Sequence, residues 1–185
     1  VAYDERGSSQ VVELGRHHFS DSVEIPSGDI VLKFVSKELP VGQPVPEAAP
    51  QLKIPKKWKK VLIMVSEDLE NTVLPITLNA IDASDDVFGP GELLFINFSE
   101  IGVFGMVGDK KLLLKPKMSA LISNPATKRE DYDVQLDSVE STIETRRWLL
   151  RQTWRHQPKQ RYLAFVLPMP KPRVAKIYAT PIRDF

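Results

Sequence analysis

Between Gly89 and Pro116 the chain runs through three apolar blocks, Glu92 to Phe98, Ile101 to Val107 and Lys111 to Leu114, separated by turn residues. Successive side chains of a strand point to opposite faces, so such runs bury one face when they are extended and paired. Gly108-Asp109, between the second and third blocks, suits a tight hairpin turn because both residues tolerate positive φ. Gly102 and Gly105, inside the second block, mark a bulge or the close approach of a neighbouring backbone. Lys115-Pro116 ends the series. A chain organised around these blocks is committed to sheet. Alternate residues of Leu93 to Phe98, Ile101 to Val107 and Arg161 to Leu167 are expected to share one interior.

The flanking sequence extends the pattern. Short β-branched runs at Val11 to Leu14, Asp29 to Val35 and Val61 to Val65 read as strands, the last as a buried one, and another begins after Pro75. Pro40, Pro44, Pro46, Pro50 and Pro55 remove ladder donors, so 39–55 is expected to be a surface loop. Helix and strand are alternatives over 136–155. Val139, Ile143, Leu150 and Trp154 have helical spacing; read as a strand, Trp148, Leu150 and Trp154 share a face opposite Arg147, Leu149, Arg151, Thr153 and Arg155. The turn-like His156 to Gln160 favours a long hairpin joining Glu144–Arg155 to Arg161–Leu167, followed by a strand from Arg173 to Tyr178. The expectation is an all-β fold: one antiparallel β-sandwich domain over 1–185, with nine or ten strands, little helix, and immunoglobulin-like or cupredoxin-like topology.

Composition narrows the function classes. At 185 residues, 42% of them hydrophobic, the chain can bury a core without a metal or disulfide staple. It has no cysteine, which removes disulfide frameworks, thiol nucleophiles and zinc ribbons, and leaves a cupredoxin-type copper site without its thiolate. No apolar run approaches the roughly 20 residues of a membrane-spanning helix. Net charge is +1, yet 61–108 contains no Lys or Arg, while ten Lys or Arg residues from Arg146 onward face one acid, Asp184. With so small a net charge, nucleic acid is not an expected partner, and pairing of acidic with basic strands is the favoured explanation.

Chemistry-bearing motifs are sparse. His17 and His18 would project to opposite faces of a strand, so a metal site would need His156 or distant carboxylates. Asp82, Asp85 and Asp86 are a weak calcium candidate, lacking the spacing and glycine of an EF-hand loop. There is no nucleophile elbow, Walker or Rossmann spacing, and no carboxylate pair stands out, so neither a catalytic residue nor a cofactor is expected and a hydrolase is the least favoured reading.

The segments Gly91-Glu92-Leu93-Leu94-Phe95-Ile96-Asn97-Phe98-Ser99, Gly105-Met106-Val107-Gly108 and Leu114-Lys115-Pro116 resemble uncharacterised exported bacterial β-sandwich proteins. In those, a G-x-x-x-x-I-N-x-S strand precedes a glycine hairpin and a Pro-terminated strand. The resemblance covers roughly residues 60 to 167; it implies an all-β fold in the periplasm or outside the cell and carries no catalytic residue. The residue types that dominate binding hot spots, Trp, Tyr and Arg, gather at Arg147, Trp148, Arg151, Trp154, Arg155, Arg161 and Tyr162, with Trp58 beside the Pro-rich loop as a second contact. Core packing of both hairpin Trp residues is the simpler expectation for strand aromatics. The functional expectation is a non-catalytic interaction or accessory module that binds another protein. The alternative is carbohydrate or polyanion binding by 144–167, which an exposed Trp148 or Trp154 would favour.

Overall fold

Extended, paired segments make up all the regular structure that the computed structural model describes, over residues 1–15, 19–139, 147–170 and 173–182. Among these residues there are fourteen strands and no helix, so the fold is all-β, with more strands than the nine or ten expected. No described helix is long and apolar enough to cross a membrane. The chain divides into two compact units, Val1–Val87 and Phe88–Phe185.

The first unit carries an antiparallel sheet of β1 (Ala2–Tyr3), β2 (Ser9–Gln10), β3 (Ile30–Phe34) and β4 (Gln51–Ile54), in the order β2-β1-β3-β4. Ile30, Leu32 and Phe34 alternate onto one face of β3 and meet Leu52 and Ile54 of β4. A two-stranded ribbon, β5 (Val61–Glu67) and β6 (Ile76–Asp82), supplies Val61, Leu78 and Ala80 to the same core. β6 begins after Pro75, as expected. Val61 to Val65 is not the fully buried strand expected: only Leu62 of that run is buried, on the face opposite Val61, and Ile63 is exposed. Val11 to Leu14 lies outside the strands, a second departure; the ladder between β1 and β2 stops at Gln10.

The Pro-rich segment is also corrected in part. Turns closed by Gln43 N–H to Pro40 O and Ala49 N–H to Pro46 O fold it back, and Tyr3 Oη accepts a hydrogen bond from Leu39 N–H at 2.8 Å. Residues 51–54 then pair with β3 as a strand, because no proline falls between Pro50 and Pro55 to remove a ladder donor.

The second unit is built from two four-stranded sheets. One contains β10 (Ser119–Ser123), β7 (Glu92–Asn97), β13 (Arg161–Pro168) and β14 (Ala175–Ile182) in that order. The other runs β12 (Arg147–Arg155), β11 (Asp131–Val139), β8 (Gly102–Val107), β9 (Lys110–Leu114). Leu93, Phe95, Ile122, Ala164 and Val166 of the first sheet and Val103, Val107, Leu112, Leu114, Val134, Leu136 and Leu150 of the second form one apolar cluster. Burial of each such side chain contributes about 1.5–3 kcal/mol for the larger residues, which fixes the period-two register. The pairing is antiparallel except between β7 and β13, which run parallel.

The expected hairpin between 144–155 and 161–167 does not form. β12 pairs with β11, whereas β13 lies in the other sheet between β7 and β14. The 156–160 turn is therefore a crossover between sheets. Side-chain character explains the choice. β13 is buried on both faces, at Arg161 and Leu163 on one side and Ala164 and Val166 on the other, and belongs inside a sheet. β12 is largely exposed on one face and finds, in β11, acids opposite its bases. The ion pairs Arg151–Asp137 and Arg155–Asp131 thus tie the basic C-terminal third to β11, rather than to the acidic stretch 61–108.

Two sequence signals have direct structural causes. Asn97 is buried and staples the β7–β8 connection: its Nδ2 donates to Ile101 O at 2.7 Å and Lys115 O at 3.1 Å, while Oδ1 accepts from Ser99 N–H at 2.9 Å and Ser99 Oγ at 2.6 Å. The I-N-x-S signal is therefore a loop staple with every amide valence used. Gly108, at φ 59°, turns β8 into β9. Gly105, at φ 154°, lies against β11 so closely that a Cβ would overlap the Gln135 carbonyl.

Gly105→Ala should therefore destabilise the protein by on the order of 3 kcal/mol, combining overlap with backbone strain. Gly102→Ala is the control, since its Cβ meets Val139 O and Leu114 O at 3.9 and 4.0 Å, ordinary contact. Urea unfolding midpoints check this; equal midpoints for the two variants would refute the close-approach reading.

Candidate functional site

The outward face of the β12-β11-β8-β9 sheet carries the exposed Trp148 together with Arg151 and Arg155. In β11, Val134 and Leu136 point to the core, so Asp131, Asp133, Gln135 and Asp137 point out. Their cross-strand partners in β12 are Arg155, Thr153, Arg151 and Trp148. Between Leu136/Leu150 and Asp137/Trp148 the register shifts by one, leaving Leu149 as the extra residue of a bulge. This corrects the expected face assignment: Trp148 does not share the side of Leu150 and Trp154 but turns outward and is 71% exposed. Arg147, opposite the buried Ser138, falls on the alternate side and is exposed.

Continuing across the sheet, Asp137 pairs with Phe104 of β8 and Phe104 with Leu113 of β9, which is 75% exposed. Trp148, Asp137, Phe104 and Leu113 therefore form one row spanning about 14 Å, at roughly 4.8 Å between strands. The next row is Arg151, Gln135, Met106 and Lys111. Asp137 is buried at the foot of this face and accepts from Arg151 Nη2, while Arg151 Nη1 donates to Leu136 O at 2.9 Å and Leu150 O at 2.7 Å. The guanidinium is held on three oxygens. Farther along, Thr153 Oγ1 donates to Asp133 Oδ1 at 3.0 Å and Arg155 Nε lies 3.5 Å from Asp131 Oδ1.

The other sequence candidates lie elsewhere. Trp154 is half-buried, stacked 6.3 Å from Phe95 and edge-on to Tyr132, with Nε1–H donating to Gln152 Oε1. Tyr162 packs on the same core and donates to Gln160 Oε1. Arg161 is completely buried; its guanidinium lies over the Phe88 ring and donates to Phe88 O at 3.1 Å, so it is an internal strut and no part of an accessible surface. Trp58 belongs to the first unit, half-buried against its core. Asp82 Oδ1 accepts from Ser84 N–H and Asp85 pairs with Lys60 at 3.2 Å; among the described residues no three His, Asp or Glu are grouped to hold a metal. His17 and His18 lie outside the described residues. The face also holds Phe104, Met106, Leu113, Gln135 and Asp137, which were not singled out from sequence; the signal was the outward half of the same alternation that places Val103, Val107, Leu112 and Leu114 inside.

An open depression of about 410 Å³ adjoins the Asp131 end of the face, lined by Lys110, Asn124, Pro125, Glu130, Tyr132 and Asp133 among others. Its carboxylates are already engaged: Asp109 with Lys110, Asp131 with Arg155, Asp133 with Thr153, Glu130 with Thr127. Burial pushes the Tyr132 phenol far above its ordinary value, with Tyr162 adding to the shift. Next to it, His156 is buried edge-on to the Tyr132 ring, and its Nε2 has no hydrogen-bond partner among the described residues. No protein-family model matches the chain, and neither a curated protein nor a solved structure does.

Burial lowers the His156 imidazole below its ordinary 6.5, an effect that the nearby Glu130 partly offsets. The unfolded chain then takes up this proton first, so His156 contributes stability above about pH 6.5 that is lost as pH falls through its folded value. The unfolding free energy of the wild type should accordingly drop more between pH 7.5 and 5.5 than that of His156→Gln, as read from urea midpoints. Parallel pH profiles would show that His156 is not protonation-linked to folding.

Proposed function

We propose that this chain is a non-catalytic interaction or accessory module of the periplasm or the extracellular space, and that its partner docks on the outward face of the β12-β11-β8-β9 sheet. The observation that carries this reading is Trp148, the most exposed aromatic side chain among the described residues, in register with Phe104 and Leu113. A large side chain held in water on a sheet face, beside an immobilised arginine, is the composition and preorganisation of a contact surface. The high proline content and the envelope-type strand pattern support the location.

Position-resolved photo-crosslinking in the source cell tests the face. A photoreactive side chain at position 148 or 113 should give the same discrete adduct. One at position 41, where the exposed Val41 belongs to the first unit, should not. No adduct at 148 and 113, or an identical pattern at 41, would remove the surface from consideration.

A further inference from the structure

We propose that the ligand of this face is a neutral oligosaccharide, an inference that rests on the docking surface just described and names its partner by chemistry. A sugar ring presents an apolar C–H face together with hydroxyls that both donate and accept hydrogen bonds. The outward face of the sheet offers the complement of each. Trp148 supplies a flat aromatic platform at one end of the first row. Beside it Arg151, Thr153 and Arg155 line up donors along β12, and Gln135, Asp133 and Asp131 line up acceptors opposite them along β11. Residues two apart on a strand are separated by roughly 6.8 Å, so the polar rows extend the platform over a length that suits several linked sugars. Arg151 is already fixed by Leu136 O, Leu150 O and Asp137, so its ordering does not have to accompany binding.

Charge and shape select this ligand against the other classes. Lys111, Arg151 and Arg155 are balanced on the face by Asp131, Asp133 and Asp137, three against three. A polyanion site needs an excess of base, which this face lacks. A protein interface concentrates apolar side chains at its centre and depletes charge there. Here Phe104 and Met106 of β8 share the centre with Asp137 and Gln135 of β11, apolar and polar side by side, and the most exposed apolar groups, Trp148 and Leu113, lie at the two ends of their row. A flat, electrically balanced platform with one fully presented indole fits a ligand that is itself uncharged, extended and amphipathic.

The purified full chain is titrated with hexasaccharides of β-linked glucose, β-linked N-acetylglucosamine and α-linked mannose, with heparin as the anionic comparison. Binding is followed by calorimetry and tryptophan fluorescence. A neutral hexasaccharide should bind with little dependence on salt and shift the emission to the blue. Trp148→Ala should weaken it at least about tenfold and abolish the shift, Trp148→Tyr should restore part of the affinity, and Trp58→Phe should leave it unchanged. Gln135→Ala, read with far-ultraviolet circular dichroism as a folding control, should weaken it to a smaller extent. The inference is overturned if no neutral hexasaccharide binds, if heparin alone binds and is released by salt, or if Trp148→Ala binds as well as the parent. Crosslinking of 148 and 113 to a protein, with no sugar bound, would sink the glycan assignment and leave the docking surface standing.

Discussion

The second unit depends on β11 and on how closely its neighbour can approach. Val134 and Leu136, both fully buried, lock β11 into the interior shared with Phe95 and Val166 of the opposite sheet. That seating brings the β11 backbone against β8 at a position where only glycine fits, Gly105. With β11 held on one side by β8, its remaining edge is free to receive β12, and the outward acids at 131, 133 and 137 determine what can lie beside them. The arginines of β12 answer those acids. Each property of the candidate face, including the fixed guanidinium of Arg151, follows from the placement of this one strand.

The run from β7 to β9, which passes from one sheet to the other between Asn97 and Gly102, was legible because its apolar alternation is clear and the β8–β9 turn is spelled by glycine. Leu93, Phe95, Val103, Val107, Leu112 and Leu114 enter the core as the period-two pattern requires, and Gly108 turns with positive φ. β11 was not legible for a physical reason. Asp131, Asp133 and Asp137 are poor strand formers in isolation, and their place in a sheet is decided by the burial of Val134 and Leu136 between them and by pairing with β8 and β12, distant along the chain. Missing β11 left β12 without a visible partner, and the next apolar run, β13, filled that role by proximity along the chain. β13 in turn carries Arg161 in its buried face, a charged residue that a sequence pattern assigns to the surface but that here donates into the Phe88 carbonyl beneath it.

The uneven charge distribution takes on a different meaning once β11 is in place. Three of the bases after residue 146 are withdrawn from any basic surface: Arg161 is internal, and Arg151 and Arg155 stand over carboxylates. The outward face is instead a near-neutral lattice of held polar groups. Long-range steering of an anion is weak over such a lattice, and short-range complementarity decides what stays.

Trp148 is where sequence periodicity and structure part ways. Strict alternation along β12 would carry Trp148 to the same side as Leu150 and Trp154, into or against the core. One additional residue, Leu149, reverses the parity of everything before it, because a shift of one in a strand exchanges its two faces. The bulge therefore exports an indole that the core pattern would otherwise have claimed, while Trp154, on the regular side of the bulge, stays stacked on Phe95. Exposure of so large an apolar surface gives nothing back in folding free energy, and the ladder irregularity that produces it costs pairing as well. Both costs fall on the same two residues, at the end of a face whose other groups are already ordered. The exposed indole therefore owes its place to the bulge and not to the packing of the core.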